Sequence, residues 1–277
     1  MKPSALITGV STGIGFDAAR LLIERGYRVF GSVRKQTDAD KVSQALGADF
    51  TPLLFDVTDE PAILEAARQV ASAVGDQGLQ ALVNNSGVSG AGPLMHIPVA
   101  ELRQMLEVNV LGLLAVTQAF LPLLGARKNC PHPPGRIVNL SSISGRLVFP
   151  FVGAYGASKH AVEAINDGLR RELRIYGIEV IAIEPGSIRT PIWEKAAGVD
   201  TRYNDTDYAQ ALAGMPKVLE EMVRTGKPVQ VVSEAVHEAI TARRPKTRYP
   251  LTWMVHAPRV LGDRALDKLL CKEMGLK

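Results

Sequence analysis

The chain has 277 residues, 46% of them hydrophobic, which is enough for a substantial buried core without the disulfides or metals that very small domains need. Its 32 Lys and Arg against 28 Asp and Glu leave a net charge of +4, and with aromatics at 5% there is no basic stripe interleaved with stacking residues, which argues against a nucleic-acid partner. Two cysteines, Cys130 and Cys271, are too few and too far apart for a disulfide framework or a CxxC metal site, so reduced thiols are expected.

The opening run from Met1 to Ile7 meets Gly9 almost at once, shorter than a signal peptide or membrane span, and a cytoplasmic location is expected. Apolar, β-branched runs of strand length then recur at Ala5 to Thr8, Arg28 to Val33, Phe50 to Asp56, Ala81 to Asn84, Arg136 to Leu140 and Glu179 to Glu184. Helix-period segments alternate with them: Gly15 to Arg25, Pro61 to Val74, Val99 to Leu124, Ala154 to Tyr176 and Ser233 to Ala242. Six buried strands alternating with helices predict an α/β fold, one doubly wound and mostly parallel sheet with helices on both faces, as a single domain over residues 1–277. The stretch 189–228 breaks the rhythm, with Tyr208, Leu212, Met215, Leu219 and Met222 forming one apolar helical stripe. It is either a surface helix packed on the core or a lid on the substrate side, since long connections are often functional.

Between the first strand and first helix stands Thr8-Gly9-Val10-Ser11-Thr12-Gly13-Ile14-Gly15, with glycines where a dinucleotide fold needs a tight turn and a close backbone approach to a pyrophosphate at the helix N-terminus. The spacing is GxxxGxG rather than GxGxxG, and a tight strand-to-helix connection is the alternative. After the second strand, where an NAD enzyme places an acid on the ribose, the sequence reads Arg34-Lys35, which favours the 2′-phosphate of NADP over NAD. Two solvated bases are the alternative, and Asp38 and Asp40 lie nearby. Asp56-Val57 ends the third strand, where a carboxylate can accept the adenine amino group; otherwise Asp56 or Thr58 caps the next helix.

The fifth strand runs into Ser141, Ser142 and Ser144 at its carboxyl edge, where open α/β sheets bind ligands, and any of the three can hydrogen-bond a substrate oxygen or merely cap a turn. Tyr155 and Lys159 follow at a spacing of four, on one helix face, so the ammonium can favour the phenolate and fit the phenol for acid/base work. The five histidines, His96, His132, His160, His237 and His256, lack metal-ligand spacing and are read as surface or packing residues, with no metal site expected.

In their order along nearly the whole chain, Thr8 to Gly15, Asn84-Asn85-Ser86-Gly87, Asn109, Ser142, Tyr155 with Lys159, and Pro185-Gly186-Ser187-Ile188-Arg189-Thr190 resemble the single-domain short-chain dehydrogenases/reductases. The resemblance implies a Rossmann-type fold and a catalytic tetrad of Asn109, Ser142, Tyr155 and Lys159. Tyr155 would be the acid/base, Ser142 would polarise the substrate oxygen, Lys159 would hold the nicotinamide ribose and depress the tyrosine pKa, and Asn109 would position a water in a proton relay. It further implies cofactor contacts from Gly9, Ser11, Thr12, Gly13, Ile14, Gly15, Arg34, Asp56, Val57, Asn85, Gly87, Pro185, Gly186, Ile188 and Thr190. The family's Asn-Asn-Ala-Gly appears here with Ser86 in place of alanine, and Thr12 stands where many NADP-preferring relatives carry a base.

The tail from Arg243 to Pro250 and the segment after it, a C-terminal extension over 243–277, resemble those of hydroxysteroid and retinol dehydrogenases. The implied reaction moves a hydride between NADP(H) and a hydrophobic secondary alcohol, ketone or aldehyde. A solvated basic loop is expected there in preference to a membrane contact. A homodimer or homotetramer through the helices Val99 to Leu124 and Ala154 to Tyr176 is likewise implied. A protein that senses NADPH on the same fold without turnover is the alternative, although it would need none of the proton-transfer groups.

Overall fold

A computed structural model describes residues 2–190 and 201–276. Seven strands form one parallel sheet: β1 (Ser4–Ile7), β2 (Arg28–Val33), β3 (Phe50–Leu54), β4 (Ala81–Asn84), β5 (Arg136–Leu140), β6 (Glu179–Glu184) and β7 (Arg248–Pro250), in the order β3-β2-β1-β4-β5-β6-β7. The helices are α1 (Gly13–Glu24), α2 (Gln36–Leu46), α3 (Glu60–Val74), α4 (Val99–Leu106), α5 (Leu113–Phe120), α6 (Gly153–Glu172), α7 (Ala209–Leu212), α8 (Met215–Thr225), α9 (Gln230–Thr241), α10 (Ala257–Val260) and α11 (Asp263–Glu273).

The period of two along each strand sends alternate side chains to opposite faces. Ala5, Ile7, Val29, Val33, Ala81, Val83, Val138, Leu140, Ile181 and Ile183 pack on one face against α1, α2 and α9. Leu6, Phe30, Leu82, Ile137 and Val180 pack on the other against α3 and α5. Both faces are covered, so the strands read as continuous apolar runs. Strand order reverses between β1 and β4, which opens a crevice at the carboxyl ends of the strands where α/β sheets bind ligands.

Six strands are expected from the sequence and seven are found among the described residues. The segment expected as a basic loop supplies β7, whose Ile183↔Tyr249 register extends the sheet beyond β6. Three residues ending in a proline suit a sheet edge. The expected stripe over 208–222 is half-buried at Tyr208, Leu212, Met215, Leu219 and Met222, but the helix breaks after Leu212 and restarts at Met215, giving α7 and α8. The first part of that expected lid, 191–200, lies outside the described residues. The helical run Val99–Leu124 contains an 18-residue window with a mean hydropathy of 1.6 and passes through a π-helical turn, Glu107–Gly112.

Candidate active site

The glycine turn closes as its composition requires. Gly9 (φ +72°) and Gly13 (φ +62°) occupy the left-handed region, and a Cβ on Gly15 would stand 2.3 Å from the Gly9 carbonyl oxygen. Neighbouring strands fix the turn: Thr8 Oγ1 accepts from the amides of Asn85 and Ser86 (2.9 Å each), and Asn85 Nδ2 donates to the carbonyls of Thr8 (2.8 Å) and Gly9 (3.0 Å). The Gly9 amide donates to Ser32 Oγ at 2.9 Å. Asn85 therefore shapes the cradle from behind. Ser86 fits because Gly9 has no Cβ, which would meet its Oγ at 2.8 Å.

Thr12 precedes α1 in extended conformation, and no side chain caps the helix there. The first-turn amides of a twelve-residue helix thus face the crevice beside exposed Ser11 and half-buried Ile14, and a Cβ on Gly13 would come only within 3.8 Å of Thr190. These are the residues and the space that a dinucleotide pyrophosphate fits.

At the far end of the crevice Arg34 follows β2, exposed at 73% of its side chain, with Nη1 3.8 Å from Asp56 Oδ2. Asp56 Oδ1 accepts from the Thr58 amide (3.0 Å) and Oγ1 (2.9 Å), which leaves Oδ2 facing Arg34. Asp56 and Thr58 do not cap α3. Asp59 does, accepting from the Ala62 amide at 3.0 Å, with Pro61 in the first turn where a missing N–H costs nothing. Val57 is buried beneath this end, and a Cβ on Gly112 would lie 2.8 Å from its carbonyl oxygen. Asp38 and Asp40 belong to α2, where Asp40 accepts from Gln36 at 2.8 Å.

The proton-transfer groups meet between β5, α6 and the π turn. Ser142 follows β5 in extended conformation, and its Oγ accepts from the Ser144 amide at 3.1 Å. Of the three serines, Ser142 is the one whose side chain acts on the Tyr155 phenol, pulling its pKa down. Lys159 Nζ lies 5.8 Å from the centroid of the Tyr155 ring, donates to the Leu140 carbonyl at 2.7 Å, and would stand 3.9 Å from a Cβ on Gly87. Burial lowers Lys159 to about 8, opposed by the field of Glu163. Burial raises the Tyr155 phenol above its ordinary value, and Ser142 only partly offsets this. Lys159 is not among the groups that shift the Tyr155 phenol: its ammonium lies over the ring at 5.8 Å and donates to the Leu140 carbonyl.

Asn109 is buried in the π turn with its carboxamide fully engaged: Oδ1 accepts from the Val88 amide (2.8 Å), and Nδ2 donates to the Val88 carbonyl (2.9 Å) and Ser158 Oγ (3.0 Å). Ser158 Oγ in turn donates to the Tyr155 carbonyl at 2.7 Å. The Asn109 side chain thus ties the loop after β4 to the first turns of α6.

Behind Lys159 lies an ion-pair network that the motif spacing does not announce. Glu163 Oε2 accepts from Arg248 Nε at 2.9 Å, Arg248 Nη2 donates to Asp167 Oδ1 at 2.6 Å, and Arg146 Nε donates to Glu184 Oε1 at 3.0 Å. Glu163 and Glu184 are almost wholly buried; burial raises the Glu184 carboxyl above its ordinary value, and the charge of Glu163 adds to the effect. A signal existed in the sequence: Tyr155, Lys159, Glu163 and Asp167 recur every four residues on one face of a helix.

Downstream of β6, the Pro185 carbonyl accepts from the Ile143 amide at 2.8 Å, Gly186 packs on Thr252, and Ile188 bridges to Lys227. Near the start of α6, Leu94 packs on Gly153, and the Tyr208 ring meets Phe151 and His96 edge-on with centroids 5.8 and 5.9 Å away. Arg202 pairs with Glu101.

The chain belongs to the short-chain dehydrogenase family, whose profile matches residues 3–199. It is 44% identical over 274 residues, 98% of this chain and 96% of that protein, to the NADPH-dependent 3-dehydrocapnine reductase of Ornithobacterium rhinotracheale. To the 17-beta-hydroxysteroid dehydrogenase type 6 of Homo sapiens it is 33% identical over 284 residues, covering 95% and 87% of the two chains. The crystal structure of a short-chain dehydrogenase from Streptomyces avermitilis shares the fold with a TM-score of 0.78 at 26% identity, covering 99% of this chain and 98% of that one. The protein is thus an oxidoreductase of a family acting on alcohol and carbonyl groups.

Proposed function

We propose that the chain is a single-domain, cytoplasmic, NADP(H)-dependent enzyme that transfers a hydride between the cofactor and a hydrophobic secondary alcohol, ketone or aldehyde, steroid- or retinoid-like in character. The observation that carries this reading is the meeting of Tyr155, Ser142 and Lys159 at the carboxyl rim of the sheet, one crevice away from the uncapped glycine turn. When bound, the reduced nicotinamide supplies the hydride. Gly9, Gly13 and Gly15 would hold its pyrophosphate, with Ser11, Thr12 and Ile14 in the same turn. Arg34 would pair with the 2′-phosphate, Asp56 and Val57 would face the adenine, and Pro185, Gly186, Ile188 and Thr190 would line the nicotinamide with Gly87.

In the reductive direction Tyr155 donates its proton to the carbonyl oxygen while Ser142 hydrogen-bonds that oxygen as charge grows on it. A phenol held above its ordinary pKa is fully protonated at neutral pH, which suits the donor role. Lys159 would hold the nicotinamide ribose hydroxyls. Asn109 fixes the geometry through its committed carboxamide, so a water relay there falls to its main chain, where a π turn leaves carbonyls without their usual helical partners. NADPH dependence is supported by the similar reductase and by Arg34, and a lipophilic substrate by the similar hydroxysteroid dehydrogenase. A homodimer through the Val99–Leu124 run and α6 is supported by its outward Leu111, 52% exposed.

The test follows NADPH and NADH absorbance with steroid, retinoid and short-chain carbonyls. Turnover with NADPH on the bulky apolar carbonyls, and little on short ketones, is expected. A preference for small hydrophilic substrates, or for NADH, contradicts the proposal.

A further inference from the structure

We propose that Glu163 is a positioning residue for Lys159: its buried carboxylate, locked one helical turn beyond the ammonium by Arg248 of the edge strand, keeps that ammonium charged over the working pH range. The inference rests on the assignment of Lys159 to the nicotinamide ribose. Its ground is geometric. The Glu163 side chain is 6% exposed, Oε2 is held by Arg248 Nε at 2.9 Å and lies 4.0 Å from Arg146 Nε, and Oε1 is buried without a hydrogen-bond partner among the described residues. Gly145 closes the loop over both groups. A Cβ there would stand 3.0 Å from Glu163 Cγ and 3.0 Å from the Lys159 carbonyl oxygen.

The groups facing Lys159 from other elements among the described residues are neutral: the Leu140 carbonyl of β5 at 2.7 Å and the Gly87 backbone after β4, beside which the Asn109 carboxamide also lies. On its own helix it faces the neutral Tyr155 phenol and Glu163. Arg146 from the loop after β5 and Arg248 from β7 lie beyond Glu163, together with Glu184 and Asp167, and partly screen it. A buried ammonium among neutral dipoles gives up its proton early; an ionised carboxylate a turn away opposes that. Glu163 makes no contact with substrate or cofactor in this arrangement. Its effect reaches them through the charge of Lys159, and Arg248 makes the C-terminal extension part of that charge balance.

The test compares wild type with Glu163→Gln and Glu163→Asp by two readouts: the alkaline limb of the pH profile of kcat/KM with NADPH, and the pH dependence of NADPH affinity by fluorescence titration. The Gln variant, close to isosteric, is expected to move both limbs acidward by about one pH unit. The Asp variant disturbs packing more but keeps the charge, and its limbs should stay within about half a unit of wild type. An unmoved limb in Glu163→Gln, or an equal displacement in both variants, overturns the proposal. Where Glu163→Gln does not fold, Arg248→Gln removes the anchor of the carboxylate and favours its neutral form, so the limb should again move acidward, and an unmoved or alkaline limb overturns the proposal. Tyr155→Phe runs alongside. Turnover surviving in that variant defeats the catalytic assignment, whereas the affinity limb still reports on Glu163 and Lys159.

Discussion

Replacing Arg34 by alanine isolates the 2′-phosphate. The guanidinium is 73% exposed and its charge partner among the described residues, Asp56, sits 3.8 Å away, so the side chain is held loosely and its removal leaves the fold intact. A charge-assisted hydrogen bond contributes about 1.5–3 kcal/mol, and solvent exposure and competition from Asp56 put this one near the lower end, about 1–2 kcal/mol. The expected result is a fall in kcat/KM for NADPH of roughly 5- to 30-fold at low ionic strength. For NADH, which carries no 2′-phosphate, the change should stay within about two-fold. Steady-state kinetics with each cofactor at 20 mM and 300 mM salt reads both effects on an assay scale of roughly these concentrations, because an exposed ion pair weakens with screening. An equal loss for NADPH and NADH would refute the reasoning and return Arg34 to the status of a solvated base.

Gly15→Ala drives a methyl to within 2.3 Å of the Gly9 carbonyl oxygen, so the turn must open; about 1–3 kcal/mol of stability and at least ~10-fold in NADPH affinity should be lost, measured by thermal melting and fluorescence titration. Asp59→Ala removes the cap of α3 and should cost about 1 kcal/mol in denaturant melts without touching cofactor affinity. Asp167 is raised by burial, but hydrogen bonds and charges from Arg170 and Arg248 outweigh this and hold it below its ordinary value of 3.8. A carboxylate depressed on folding stabilises above that ordinary value, and the contribution is lost as pH falls through the folded one. Asp167→Asn should therefore be less stable than wild type at pH 7, with the difference shrinking below about pH 4 in melts across that range.

The parts of the site that were legible in the sequence are those where backbone geometry dictates residue type. Gly9 and Gly13 announce a turn because a positive φ favours glycine, Gly15 because a Cβ there would meet the Gly9 carbonyl, and the four-residue spacing of Tyr155 and Lys159 places them on one helix face. The choice among Ser141, Ser142 and Ser144 was not legible from the residues themselves, since all three follow the same strand within four residues and only the packing of α6 brings one against Tyr155. β7 was hidden because Arg248-Tyr249-Pro250 has no apolar run; the open edge of β6 makes it a strand. α2 left a fainter trace, Ala39, Val42 and Leu46 at helical spacing before Gly47 with φ +77°, in a stretch otherwise polar enough to read as a loop. The Glu163–Arg248 pair joins residues 85 positions apart, a contact that no local pattern reports.

The central claim, that Tyr155 moves the proton, is tested most directly by Tyr155→Phe, which deletes the hydroxyl and keeps the ring. Single-turnover reduction at saturating NADPH should fall by about 10²- to 10⁴-fold while NADPH affinity stays near wild type. Turnover above a few per cent of wild type, with cofactor still bound, would contradict the account.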